Sequence, residues 1–296
     1  MQGQQHSASK GVENRRQFLR KASSAAAGLW VAAHWSGAHG PGLAEAALAQ
    51  PSDQPFPLGM ASYSLRSFPL DKALAMTAEL RLKHLCLKSF HLPLDASQQQ
   101  IAEAVAKVKQ AGLDLYAGGV ISMRNEKEVN QAFDYAKAAG MRMIIAMPLP
   151  DVLPLLEKKV RAYGIRIAIH NHGPGDKVYP TPESAYEKIQ SLDKRIGLCL
   201  DLGHTVRVGA DPDRSARQCA DRLFDVHLKD VSAATPAGKE IEVGRGVIDI
   251  PKFLRTLKEI RYAGVLAFEY EKDPKDPMPG LKESVAYVRR VMGELQ

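Results

Sequence analysis

Eight short apolar runs, each followed by an amphipathic stretch, set the plan of this chain. The runs cover residues 58–63, 85–88, 115–120, 143–147, 165–170, 196–200, 223–227 and 265–269. They are continuously apolar rather than alternating, the pattern of parallel strands buried on both faces. Amphipathic segments near residues 70–80, 97–111, 126–139, 152–163, 182–191, 212–221, 251–260 and 281–292 predict the helices between and after them. Pro182, Pro212 and Pro251 stand where a helix start accepts proline. Gly112, Gly140, Gly164 and Gly264 stand where a helix end favours glycine.

Eight strand–helix pairs are the closing number of a (β/α)8 TIM barrel, and the length after the leader is the usual one for that fold. The competing arrangement, an open doubly wound sheet, requires a glycine-rich phosphate turn after the first strand. Ser62-Tyr-Ser-Leu-Arg-Ser67 is not such a turn. Residues 50–296 therefore read as one barrel domain, with no apolar run long enough to span a membrane.

Residues 1–49 read differently. Asn14-Arg15-Arg16-Gln17-Phe18-Leu19-Arg20-Lys21 precedes a weakly apolar, alanine-rich stretch, and Ala47-Leu48-Ala49 offers small residues for cleavage before Gln50. This resembles a twin-arginine signal peptide. It implies engagement of the twin-arginine export machinery and a periplasmic location. That route carries folded proteins, so a metal can be loaded before export. It also suits three cysteines, Cys86, Cys199 and Cys219, that lack paired spacing and read as buried thiols. The leader holds five cations against two glutamates, which accounts for three of the seven net positive charges. What remains is a mildly basic surface rather than a nucleic-acid stripe.

The runs end in chemistry. Parallel barrel strands point their carboxyl ends at one face, where barrel active sites lie. Four runs finish in groups that bind metals: His170 and His172, Asp201, His227, and Glu269. As neighbours, His170, Asp201, His227 and Glu269 converge into a metal site. Either His170 or His172 can supply the ligand from strand five, because both project to the same side. Of the six histidines after the leader, His91, His170, His172, His204 and His227 all fall at or just beyond strand ends. Lys88, His91, His172, His204 and Glu271 are the remaining catalytic candidates. Lys229 and Arg245 are candidates for binding substrate, and Lys229 and Asp230 also for orienting His227.

The segments Ile196-Gly-Leu-Cys-Leu-Asp-Leu-Gly-His204, Asp225-Val-His-Leu-Lys-Asp230, Val243-Gly-Arg-Gly-Val-Ile-Asp249 and Ala267-Phe-Glu269 resemble sugar phosphate isomerase/epimerase proteins of the xylose isomerase-like barrel superfamily. The resemblance covers nearly all of the chain after the leader. It implies one divalent metal, Mn²⁺ foremost, with Zn²⁺, Co²⁺ or Mg²⁺ as the other ions. The implied ligands are Asp201, His227 and Glu269, plus a strand-five residue that is Glu in many members. Here that residue is His170. The set then has two carboxylates rather than three, and the glutamate pair that moves protons on opposite faces of the sugar is incomplete.

The implied activity is abstraction of a proton next to the carbonyl of a small sugar substrate, leading to isomerisation or epimerisation. The alternative is β-elimination, as a 3-keto-glycoside lyase or a dehydratase. A nuclease of the endonuclease IV branch would need a three-zinc cluster and DNA contact, which the modest charge and few carboxylates oppose. A metal-free sugar binder would not need the ligand quartet. The residues leave open whether the chain forms a homo-oligomer.

Overall fold

The computed structural model describes residues 55–295; the expected leader, with Arg15, Arg16 and the expected cleavage position before Gln50, lies outside the described residues. Eight parallel strands close into a barrel: β1 (Leu58–Ala61), β2 (His84–Leu87), β3 (Asp114–Met123), β4 (Met143–Pro148), β5 (Arg166–His170), β6 (Ile196–Asp201), β7 (Leu223–Leu228) and β10 (Val265–Phe268). Their order around the barrel is β1-β10-β7-β6-β5-β4-β3-β2. Two further short strands, β8 (Asp230–Val231) and β9 (Glu240–Ile241), pair antiparallel as a hairpin beyond β7. The continuous apolar runs are buried as their pattern required: every residue of β1, β6 and β10 is buried.

The helices are α1 (Leu70–Glu79), α2 (Gln98–Gln110), α3 (Glu126–Ala138), α4 (Leu153–Tyr163), α5 (Pro182–Ile189), α6 (Leu202–Arg207), α7 (Pro212–Gln218), α8 (Ile250–Glu259) and α9 (Met278–Gly293). Local chemistry sets their starts. Ser97 with Gln100 and Thr181 with Ser184 form reciprocal caps on α2 and α5, and Asn125, Asp211 and Asp249 cap α3, α7 and α8. Gly112, Gly140 and Gly164 take the left-handed conformation after their helices, as expected. Gly264 does not. Arg261 makes the left-handed turn after α8, and Gly264 is glycine for a different reason: a Cβ there would lie 2.2 Å from the Phe224 carbonyl oxygen.

Two layers of side chains result. The larger core lies between strands and helices, where each fully buried leucine or phenylalanine contributes roughly 1.5–3 kcal/mol. The smaller one fills the barrel interior with Ala61, Cys86, Ala117, Ala168, Cys199 and Ala267 around Tyr116. All three cysteines are buried free thiols. Among the described residues, no helix is long and apolar enough to cross a membrane.

Helix α6 and the β8–β9 hairpin have no counterpart among the predicted elements. Helix α6 begins directly at the end of β6 because the Asp201 side chain accepts the His204 backbone N–H at 2.7 Å and so caps it. The β8–β9 hairpin carries Glu240 back toward the barrel mouth.

Candidate metal centre

Alternation along the strands assembles the site. Ala168 and His170 on β5, Cys199 and Asp201 on β6, Asp225 and His227 on β7, and Ala267 with Glu269 at the end of β10 follow the two-residue period that keeps side chains on one face. Register aligns them: His170 lies opposite Cys199, Asp201 opposite His227, and His227 opposite Ala267. Ligand atoms of His170, Asp201, His227 and Glu269 all lie within 4.8 Å of one another, and all four residues are buried.

The contacts name the atoms. His170 Nε2 lies 3.0 Å from His227 Nδ1 and 3.4 Å from Asp201 Oδ2. His227 Nδ1 lies 3.0 Å from Glu269 Oε2. Asp201 commits Oδ1 to the cap of α6, while its buried Oδ2 faces the quartet, 3.2 Å from the Lys229 ammonium. Two buried carboxylates converging with two imidazoles, their donor atoms within reach of one another, fit a cation. Two nitrogen and two oxygen donors suit a borderline divalent ion. His170 is the strand-five residue in this group. His172 stands above it, Nδ1 to Nδ1 at 3.4 Å, half-exposed and 3.6 Å from Asp176.

Electrostatics follow from burial and two lysines. Burial pushes the His170 imidazole well below its ordinary range, and His172 and His204 down as well. Burial would raise the Asp201 and Glu269 carboxyls. Lys229, joined at Glu269 by Lys88, outweighs it and holds both well below the usual carboxylate range. Burial would lower Lys229, but Asp201, Glu269, Glu240 and Glu271 together hold its ammonium well above normal. Burial pushes Glu240 up to about 8 and Asp225, beneath His227, up to about 7.

A cavity of about 260 Å³ opens beside the quartet, lined by Tyr63, Lys88, Val120, His170, His172, His204, Glu269 and Glu271. Lys88 contacts Glu269 Oε1 at 3.2 Å and stands over the Tyr63 ring. Thus Lys88, His172, His204 and Glu271 face one space, as the strand ends suggested.

Three expected residues do not join them. His91 is buried with both ring nitrogens engaged, by Ser62 Oγ at 2.9 Å and by the Phe68 carbonyl at 3.0 Å; it ties the loop after β2 to the turn after β1. Arg245 is exposed and forms a two-pronged ion pair with Glu283 of α9. Lys229 is fully buried among carboxylates rather than in the cavity lining. Asp230 does not orient His227 either. Its carboxylate accepts the backbone N–H groups of Val231, Gly244, Gly246 and Ile248 and so pins the loop after β9. The sequence reading missed Glu240, Tyr63 and Asp225. Asp225 alone carried a signal, two residues before His227 on the same strand face.

Residues 76–291 match the xylose isomerase-like TIM barrel family, and the chain belongs to that family. Among its relatives, the inosose isomerase of Bacillus subtilis (strain 168) is 26% identical over 163 residues, 48% of this chain and 58% of that protein. The inosose dehydratase of Clostridium beijerinckii is 27% identical over 164 residues, 49% of this chain and 54% of that protein. The chain spans about half the length of the curated relatives it matches. A crystal structure described as the IOLI protein with a binding zinc atom shares the fold with a TM-score of 0.69 at 20% identity, covering 81% of this chain and 99% of that one.

Proposed function

We propose that this protein is a metal-dependent enzyme that removes the proton next to the carbonyl of a small polyhydroxylated ketone or sugar. Reprotonation at the neighbouring carbon gives isomerisation, and reprotonation of the same carbon from its other face gives epimerisation. The observation that carries the reading is the His170–Asp201–His227–Glu269 quartet opening onto a small cavity lined by Lys88, His172, His204 and Glu271. When bound, a divalent ion there polarises the carbonyl and steadies the negative charge that develops beside it. Mn²⁺ remains the first choice of ion, and the zinc named for the structural neighbour supports a divalent metal in general.

The chain's own groups divide the remaining work. His172 lines the cavity and is kept neutral by its surroundings, so it can take up the substrate proton. Lys88, an ammonium at the cavity wall, donates a hydrogen bond to a substrate oxygen. His204, on α6, and Glu271, just after β10, line the same cavity and bind hydroxyl groups. Tyr63 and Val120 supply the apolar part of the wall.

Elimination is the second reading. Here His170 replaces the strand-five glutamate expected of an epimerase pair, which leaves one carboxylate fewer to return a proton. The dehydratase name of one relative points the same way. One experiment separates the two. Metal-loaded protein is incubated in D₂O with an inosose, free ketoses and 3-keto-glycosides, and products are read by NMR. Solvent deuterium in an intact ring is expected for isomerisation or epimerisation. A dehydrated product or a released aglycone identifies elimination. Absence of deuterium exchange and of product across the panel overturns the proposal. Export by the twin-arginine route, with function in the periplasm, is part of the same proposal.

A further inference from the structure

We propose that Lys229 is a resident cation that shares the carboxylate oxygens of the metal site, so that the chain holds its metal loosely and the bound ion stays electron-poor. The inference rests on reading His170, Asp201, His227 and Glu269 as a metal site. The oxygens nearest the histidine nitrogens are Asp201 Oδ2 and Glu269 Oε2. Lys229 Nζ lies 3.2 Å from the first and 3.0 Å from the second. An ion taking up those oxygens therefore shares both with an ammonium in direct contact with them.

The lysine is built in rather than adventitious. Its side chain is 1% exposed, and Nζ also contacts Glu240 Oε1 at 3.2 Å and Glu271 Oε1. Glu240 arrives on the β8–β9 hairpin, and Glu271 follows β10, so separate elements hold the ammonium in place. Its stem packs against Gly203, where an added Cβ would lie 3.1 Å from Lys229 Cβ. Lys88 adds a second, outer cation on the other oxygen of Glu269. Like charges repel strongly at this depth. Carboxylates already shared with ammonium groups neutralise a metal less, so it is bound more weakly and polarises a substrate oxygen more.

The test is metal affinity, read without turnover. Full-length protein is stripped with a chelator and titrated with Mn²⁺ against a competing fluorescent chelator, as wild type, Lys229→Met and Lys229→Arg. Lys229→Met should bind Mn²⁺ at least ~10-fold more tightly, about 1.4 kcal/mol. Lys229→Arg, which keeps the charge, should stay near wild type. Mn²⁺ should also raise the melting temperature of Lys229→Met more than that of wild type, because binding stabilises the folded state by mass action. A lysine that merely props up the fold would give weaker binding in the methionine variant. Unchanged or weaker Mn²⁺ binding by folded Lys229→Met overturns the proposal. Lys229→Gln, which keeps a hydrogen bond to the carboxylates, carries the same expectation should the methionine variant not fold. Failure of both to fold in saturating Mn²⁺ also overturns it, since a metal should replace the missing cation. Wild type that binds no divalent metal is a separate outcome: it overturns the metal-site reading itself.

Discussion

Asp201 shows how one side chain serves fold and site together. Oδ1 caps α6 through the His204 amide, and Oδ2 is left facing His170, His227 and Lys229. The two roles separate on substitution. Asp201→Asn keeps an oxygen for the cap, and asparagine is as good a cap as aspartate. It removes the negative charge from the ligand position and leaves Lys229 with one carboxylate fewer. Removing even a group that supports a ligand costs a metal site ~10–100-fold in affinity. We therefore expect Asp201→Asn to lose at least that much Mn²⁺ affinity, measured by chelator competition, while its far-UV circular dichroism matches wild type. Retention of wild-type affinity would remove Asp201 from the ligand set.

At the scale of elements, the loop between β9 and α8 hangs on one carboxylate. Asp230 holds the amides of Gly244 and Gly246 at 2.9 Å each, Ile248 at 3.2 Å and Val231 at 2.9 Å. The loop fits so closely that a Cβ at Gly246 would lie 2.0 Å from Asp230 Oδ1. Buried amides left without a partner cost ~1–3 kcal/mol each, less where water enters. Asp230→Ala should lower stability by roughly 2–4 kcal/mol in urea unfolding, given partial access of water to this loop. The quartet lies on other strands or faces, so the folded fraction should still bind metal. An unfolding midpoint equal to wild type would show that the loop is held by something else.

At the scale of the whole molecule, the export we propose is compatible with the barrel. A chain that folds and takes up metal before crossing a membrane can keep three buried free thiols and a metal held between lysines. Both tryptophans, Trp30 and Trp35, precede the proposed cleavage position before Gln50. The exported protein should therefore show tyrosine-like emission, and the precursor an indole signal. Changing Arg15 and Arg16 together to Lys should leave the indole-containing precursor in the cytoplasm. Unimpaired export of that double variant would sink the twin-arginine reading.

The sequence by itself determined the barrel and which four residues form the candidate metal quartet. Short continuous apolar runs alternating with amphipathic segments fit parallel strands covered on both faces, and parallel strands in a barrel bring their terminal residues to one face. His170, Asp201, His227 and Glu269 were legible because each closes such a run. Only the tertiary structure brings His170, rather than His172, within reach of the other three donors, since alternation puts both on one side while His170 lies deeper in the barrel mouth. It moved His91 and Arg245 out of the site, because their partners Ser62, Phe68 and Glu283 are distant in sequence. It also revealed the surroundings of Lys229, which come from β6, the β8–β9 hairpin and the chain after β10. Periodicity reports which face a residue takes. Ion pairing across elements depends on where loops carry charge after the barrel closes, and no local pattern encodes that.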